Sequence, residues 1–332
     1  MLRLRKLTGF STVLALQVAL VLSAPAMAEK VKVYIMMGQS NMLGFGTVGP
    51  ADKQGTLEYA IATDGLFPYL QDRHGWVVRD DARYAFIMSG RERANTWLRV
   101  PSRGRFGPEL CAGFVLAEDH EAPVLMLKSC IGNRSLGWDL LPPGSERYEY
   151  EGFYYAGYTE SPLKWKVGSN PEPIGWYAGK QYDTDVAGAK QILEQLDRYY
   201  PGAEGYEIAG FMWWQGDKDR YNQAHAVKYE ENLVRLINVL REEFDAPDAK
   251  FVIATLGQTE IGAEGNEGKI LQAMMNVADA EKYPQFEGNV ATVYTHAMHQ
   301  GGASNGHYGN NGKFYALVGE AMGKAMIELE SE

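Results

Sequence analysis

The chain has 332 residues, of which 45% are apolar and 22% charged, proportions that build a sizeable globular core. Its formal net charge of −10 argues against nucleic acid and anionic membranes as partners and leaves neutral ligands open. With only Cys111 and Cys130 present, a disulfide scaffold is excluded, while one bridge or two buried thiols both fit an exported protein.

Export is the reading of the first segment. Arg3, Arg5 and Lys6 precede an apolar run from Val13 to Leu22, and Ala26-Met27-Ala28 is a small-x-small cleavage site. Residues 1–28 are therefore expected to be a signal peptide, too short in its apolar run to span a bilayer. The expected mature protein is soluble, secreted or periplasmic, and not inserted in a membrane. It keeps 29 basic residues against 42 acidic ones, a net −13.

Val31 to Gly44 organises the rest of the chain. Val33 to Met37 carries no charge and is apolar on both faces, as a central parallel strand should be, and it runs into the polar turn Gly38-Gln39-Ser40-Asn41. Residues 47–105 read as an irregular insertion with short apolar runs, such as Tyr84 to Met88, that suit small hairpins. Pro108 and Glu109 open a helix that runs to Asp119, with Gly107 at its mouth. A second strand, Pro123 to Leu127, ends in Lys128-Ser129-Cys130-Ile131-Gly132-Asn133. Residues 138–182 form a second insertion crowded with Trp and Tyr, expected mostly to supply their own small core and in two or three cases to touch a ligand.

Strands and helices then alternate. A helix over 186–199 is followed by a strand over 208–214 that ends in Gln215-Gly216-Asp217. Next come a helix over 222–244, a strand over 251–256, a helix over 268–281 and a strand over 290–295. A loop with His296, His299 and His307 leads to a last helix from Gly312 to about Ile327. One-by-one alternation predicts a parallel sheet of five strands covered on both faces, in a single domain over 29–332 with insertions at about 47–105 and 138–182.

The turns at successive strand ends carry matched chemistry. Ser40 is a hydroxyl nucleophile in need of a base, and His307 is the side chain that serves near neutral pH. Backbone N–H groups of Ser40 and Gly107 and the side-chain amide of Gln215 are candidate donors to a tetrahedral oxyanion. These types fit acyl transfer. His296 and His299 are rival bases, and as a metal pair they lack an evident third ligand. No metal and no cofactor is expected.

Four blocks then carry a resemblance: Gly38-Gln39-Ser40-Asn41-Met42, Phe106-Gly107-Pro108-Glu109, Trp213-Trp214-Gln215-Gly216-Asp217, and His307 ahead of a C-terminal helix. In this order they resemble the SGNH hydrolases, and more closely the sialate O-acetylesterase and acetylxylan esterase branch of the carbohydrate esterases. The resemblance implies a three-layer, flavodoxin-like α/β/α sandwich and removal of acetyl groups from an acetylated carbohydrate. It implies Ser40 as nucleophile, His307 as base, Ser40 and Gly107 as oxyanion donors, and Gln215 in the place of the wider family's Asn. The family's Asp two or three residues before the histidine is missing, since those positions hold Asn305 and Ser304. Asp217 is the candidate replacement, with a Ser–His dyad as the alternative. An esterase for another small acyl group, or a binding protein on the same fold, are the competing readings of function.

Overall fold

The computed structural model describes residues 30–332 apart from position 103, so the expected signal peptide lies outside the described residues. The centre of the molecule is strand β1, Val31–Gly38. Val31, Val33, Ile35 and Met37 enter one hydrophobic core, and Tyr34 and Met36 the other. A strand apolar on both faces must be covered on both, and helices do so.

The remaining sheet strands are β2 (Val78–Met88), β3 (Arg91–Arg99), β4 (Val124–Ser129), β5 (Tyr206–Trp214), β6 (Lys250–Ala254) and β7 (Val290–Val293). They lie in the order β7-β6-β5-β1-β4-β2-β3, all parallel except β3, which runs antiparallel to β2. The expected count of five strands is therefore corrected to seven. The five expected strands form one contiguous block, and the added pair comes from the first insertion. Ser89 and Gly90, at φ 51° and 70°, form the two-residue loop joining β2 to β3, where a tight hairpin demands positive φ at both positions. β2 then continues the sheet against β4.

A bulge at Ala209 keeps β5 in phase with β1: Val33 pairs with Ile208 and Tyr34 with Gly210. Phe211 and Trp213 consequently face one core while Met212 and Trp214 face the other. Helix α1 is the single turn Ser40–Leu43, and α2 spans Glu109–Asp119. Helices α3 (Lys180–Leu193), α4 (Gln223–Glu243) and α5 (Gly265–Val277) cover the first core. Together with α6 (Gly312–Ser331), α2 covers the second. The second insertion builds a three-stranded antiparallel sheet over a small core of Trp138, Leu141, Ala156, Trp165 and Ala178, the separate core expected of its aromatics. Cys111 and Cys130 are free, buried thiols, and burial pushes the pKa of each up.

Two glycines make the turn after β1 possible. A Cβ on Gly38 would fall 2.4 Å from the Trp214 carbonyl oxygen, so β1 and β5 close up there only because none exists. Gly44, at φ 89°, passes so near the second motif block that a Cβ would sit 2.2 Å from Gly107 Cα. Gly44→Ala combines strain with a backbone clash and is expected to cost at least ~2 kcal/mol. A urea unfolding midpoint equal to the parent's would refute this packing.

Candidate active site

Ser40 stands at the carboxyl end of β1, the central parallel strand, where α/β sheets place ligands. As the first residue of α1, it has a backbone N–H with no acceptor inside the helix. The residue is largely buried, 8% exposed, and the Gly132 turn after β4 lies over it.

His307 comes from the other end of the chain. The segment His307 to Asn310 has four consecutive positive φ values, 51°, 53°, 63° and 59°, a conformation that Gly309 and Asn310 tolerate and that is costly for Tyr308. Tyr308 pins it: its ring is fully buried between Trp214 and Phe314, and its hydroxyl accepts from Asn41 Nδ2 and Gly257 N, both at 3.2 Å. Asn41 neighbours Ser40, so the anchor of the histidine segment is bonded to the serine turn. The His307 imidazole itself lies face to face on Phe45, centroids 3.7 Å apart and planes 4° from parallel. Among the described residues, no side-chain hydrogen bond engages Ser40 Oγ or the His307 ring. The other two candidate bases differ in this respect. His296 Nδ1 meets the Gly257 carbonyl at 2.8 Å, and His299 Nε2 meets the Gly302 carbonyl at 3.0 Å.

Asp217 is buried at the end of β5 and accepts from Arg220 Nε at 2.8 Å and, through a short bond, from Ser304 Oγ. Ser304 occupies one of the positions where the resembling family carries its acid. A carboxylate from the end of β5 thus bonds the segment that leads to His307, with Ser304 as the link. In the sequence Ser304 is only an uncharged position; its bond to a residue 87 positions away has no local signal. Phe45, just beyond the first block, likewise carries no mark of its stack on His307.

The expected oxyanion donors fare differently from one another. Gly107 N donates to Glu109 Oε1 at 3.0 Å, and Glu109 in turn binds the fully buried Lys128 at 2.5 Å. Lys128 also donates to the Leu43 carbonyl at 3.0 Å, which marks it as a brace of the serine turn. The Gln215 amide is fully buried, its nitrogen bonded to Gln39 Oε1 (3.1 Å), the Arg134 carbonyl (2.9 Å) and Asp219 Oδ2 (2.6 Å). Gln39 Oε1 also accepts from Lys218 N at 3.1 Å, so Gln215 and Gln39 lace the Ser40 turn to the Asp217 turn. Behind them, burial holds the Asp219 carboxyl up at about 6, against the opposing hydrogen bonds of Gln215, Gly137 and Leu136. Of the three donors, only the Ser40 N–H has no bond among the described residues.

The electrostatics at His307 have three sources. Burial and then the nearby Arg105 charge lower its pKa below the ordinary histidine value, and Asp217 opposes them. Arg105 Cζ sits 4.9 Å over the Phe45 ring, beside the stacked imidazole. Arg105→Gln should therefore raise the His307 pKa and Asp217→Asn should lower it. An NMR titration of the ring protons that moved either value the other way would overturn this account.

The sheet gathers its polar turns at the strand ends, where α/β folds bind ligands, and the chain is a hydrolase that acts on ester bonds. More particularly, the model of the family "Carbohydrate esterase, sialic acid-specific acetylesterase" matches residues 161–328, just over half of the chain, and the chain belongs to that family. The matched segment holds Gln215, Asp217 and His307 and begins beyond Ser40. Among solved structures, an Arabidopsis thaliana protein is similar at TM-score 0.50 and 15% identity, over 90% of this chain and 98% of that one, a likeness of fold. A carbohydrate acetylesterase from Xanthomonas citri matches at TM-score 0.46 and 14% identity, over 89% of this chain and 57% of that one. NanS matches at TM-score 0.42 and 13% identity, over 80% and 77%. No curated protein sequence matches the chain.

Proposed function

We propose that the chain is an exported serine carbohydrate esterase that removes O-acetyl groups from a sugar or polysaccharide. On this reading it is one SGNH-type, flavodoxin-like domain over residues 29–332, and Ser40, His307 and Asp217 perform the chemistry. The observation that carries it is the convergence on the end of β1: a serine and an imidazole, both free of internal side-chain hydrogen bonds among the described residues, on segments tied together through Asn41 and Tyr308.

The Ser40 oxygen attacks the acetyl carbonyl carbon while His307 takes the hydroxyl proton. The oxyanion forms against the Ser40 N–H, with Gly107 and Gln215 supporting the turn that presents it. Collapse breaks the bond to the sugar oxygen, which leaves with the proton from His307. Water then attacks the acetyl-serine, giving its proton to His307, and acetate departs as Ser40 is restored. A lowered His307 pKa keeps the ring neutral, and so able to accept, into mildly acidic solution. Asp217 steadies the imidazolium through space and steadies the segment through Ser304.

Ser40→Ala and His307→Ala are each expected to reduce turnover of a chromogenic acetate ester on the order of 10⁴-fold or more. Full activity in His307→Ala, with loss in His299→Ala, would transfer the base to His299. Asp217→Asn should cost more than a rim residue but less than the ~10⁴-fold seen when the directly bonded acid of a protease triad is neutralised. Ser304→Ala should fall in the same range, and unchanged turnover in both variants would leave a Ser–His dyad. Acetate release from a panel of acetylated polysaccharides and O-acetylated sialic acids names the sugar.

A further inference from the structure

A cleft of about 430 Å³ opens beside the Ser40 turn, between the β2–β3 hairpin and the segment that leads to Gly107. Tyr84 and Phe86 of β2 line it as a stacked pair, centroids 6.3 Å apart, and Leu43 of α1 closes one side. Arg93 and Arg99 of β3 and Arg105 beyond it line the same cleft, all three exposed. Arg79, Arg147, Arg198 and Arg220 each pair with a carboxylate. Among the described residues Arg93, Arg99 and Arg105 pair with none, in a chain with ten more acidic than basic residues. The one carboxylate in the cleft wall, Glu109, is already held by Lys128 at 2.5 Å.

We infer that this cleft is an accessory subsite for a carboxylate-bearing sugar, a uronate unit of the glycan that flanks the acetylated one. Guanidinium forks match a carboxylate with paired hydrogen bonds, and aromatic faces accept the apolar C–H face of a sugar ring. The cleft is joined to the proposed catalytic pair by contact: Arg105, which lines it, lies over Phe45, and Phe45 lies against His307. Charges on an edge strand such as β3 also block pairing with a second sheet. That role asks nothing of Arg105 or of an aromatic-lined hollow. The glycan's direction across the protein rests on Ser40 and His307 being the reacting groups; binding in the cleft does not.

The test is calorimetric titration of the full chain with unacetylated galacturonate oligosaccharides and with neutral xylose oligosaccharides of equal length, at low and high salt. The galacturonate series should bind more tightly and weaken as salt rises, and the Arg93→Gln, Arg99→Gln double variant should weaken it about tenfold or more. The Arg93→Lys, Arg99→Lys variant keeps the charge and should recover part of the loss, which also separates a binding defect from misfolding. Equal affinity for the two series, or galacturonate affinity untouched in the double Gln variant, overturns the subsite. Ester turnover in Ser40→Ala reports separately on the catalytic reading, so galacturonate binding that depends on the arginines in a protein whose Ser40→Ala variant stays active keeps the subsite and rejects the nucleophile.

Discussion

The structure depends on burying β1 from both sides. Ordering a residue of backbone costs roughly 1–2 kcal/mol, and burying a Val, Ile or Met side chain returns about 1.5–3 kcal/mol. A strand whose alternate residues all carry such side chains gains most when both faces are covered. Helices α3, α4 and α5 on one face, with α2 and α6 on the other, meet that condition. It also determines where chemistry is possible. Apolar faces leave little room for polar groups within the sheet, so most collect at and beyond the strand ends, and the turn after β1 adjoins those after β4 and β5.

Buried polar pairs hold the turns of the site in place. Lys128 and Glu109 are buried opposite charges that hold the Leu43 carbonyl and the Gly107 N–H, one on each side of the close Gly44 contact. Removing one partner of such a pair leaves an uncompensated buried charge, which is far more damaging than the pair is stabilising. Gln39, Gln215 and Asp219 form the matching brace on the other flank. Between the braces, neither the Ser40 hydroxyl nor the His307 ring has a side-chain hydrogen bond among the described residues.

Much of this is legible in the sequence, for reasons that differ by element. β1, β4, β5 and β6 are uncharged or nearly so along their buried lengths, which marks them as interior strands. β2 and β3 read as an irregular insertion because Arg79, Asp80, Asp81 and Arg83, then Arg91, Glu92 and Arg93, interrupt the apolar pattern. Charge of that kind belongs to an edge, and the pair extends the sheet at its edge. Ser40, Asp217 and His307 stand out by residue type and by position after a strand or before the last helix. The link through Ser304, the stack of His307 on Phe45 and the internal partners of Gln215 arise only when distant segments meet, so nearby residues carry no trace of them.

The bond from Asn41 to Tyr308 joins positions 267 residues apart. The turn bearing Ser40 is thus among the first parts of the domain to be synthesised, and the segment bearing His307 among the last. Contacts of such sequence separation are slow to close, since the loop entropy must be met before they contribute anything. On the proposed mechanism, a chain still emerging from its ribosome, or one cut short before His307, has a nucleophile and no base. On that mechanism, activity is a record that the chain has been made and folded through His307.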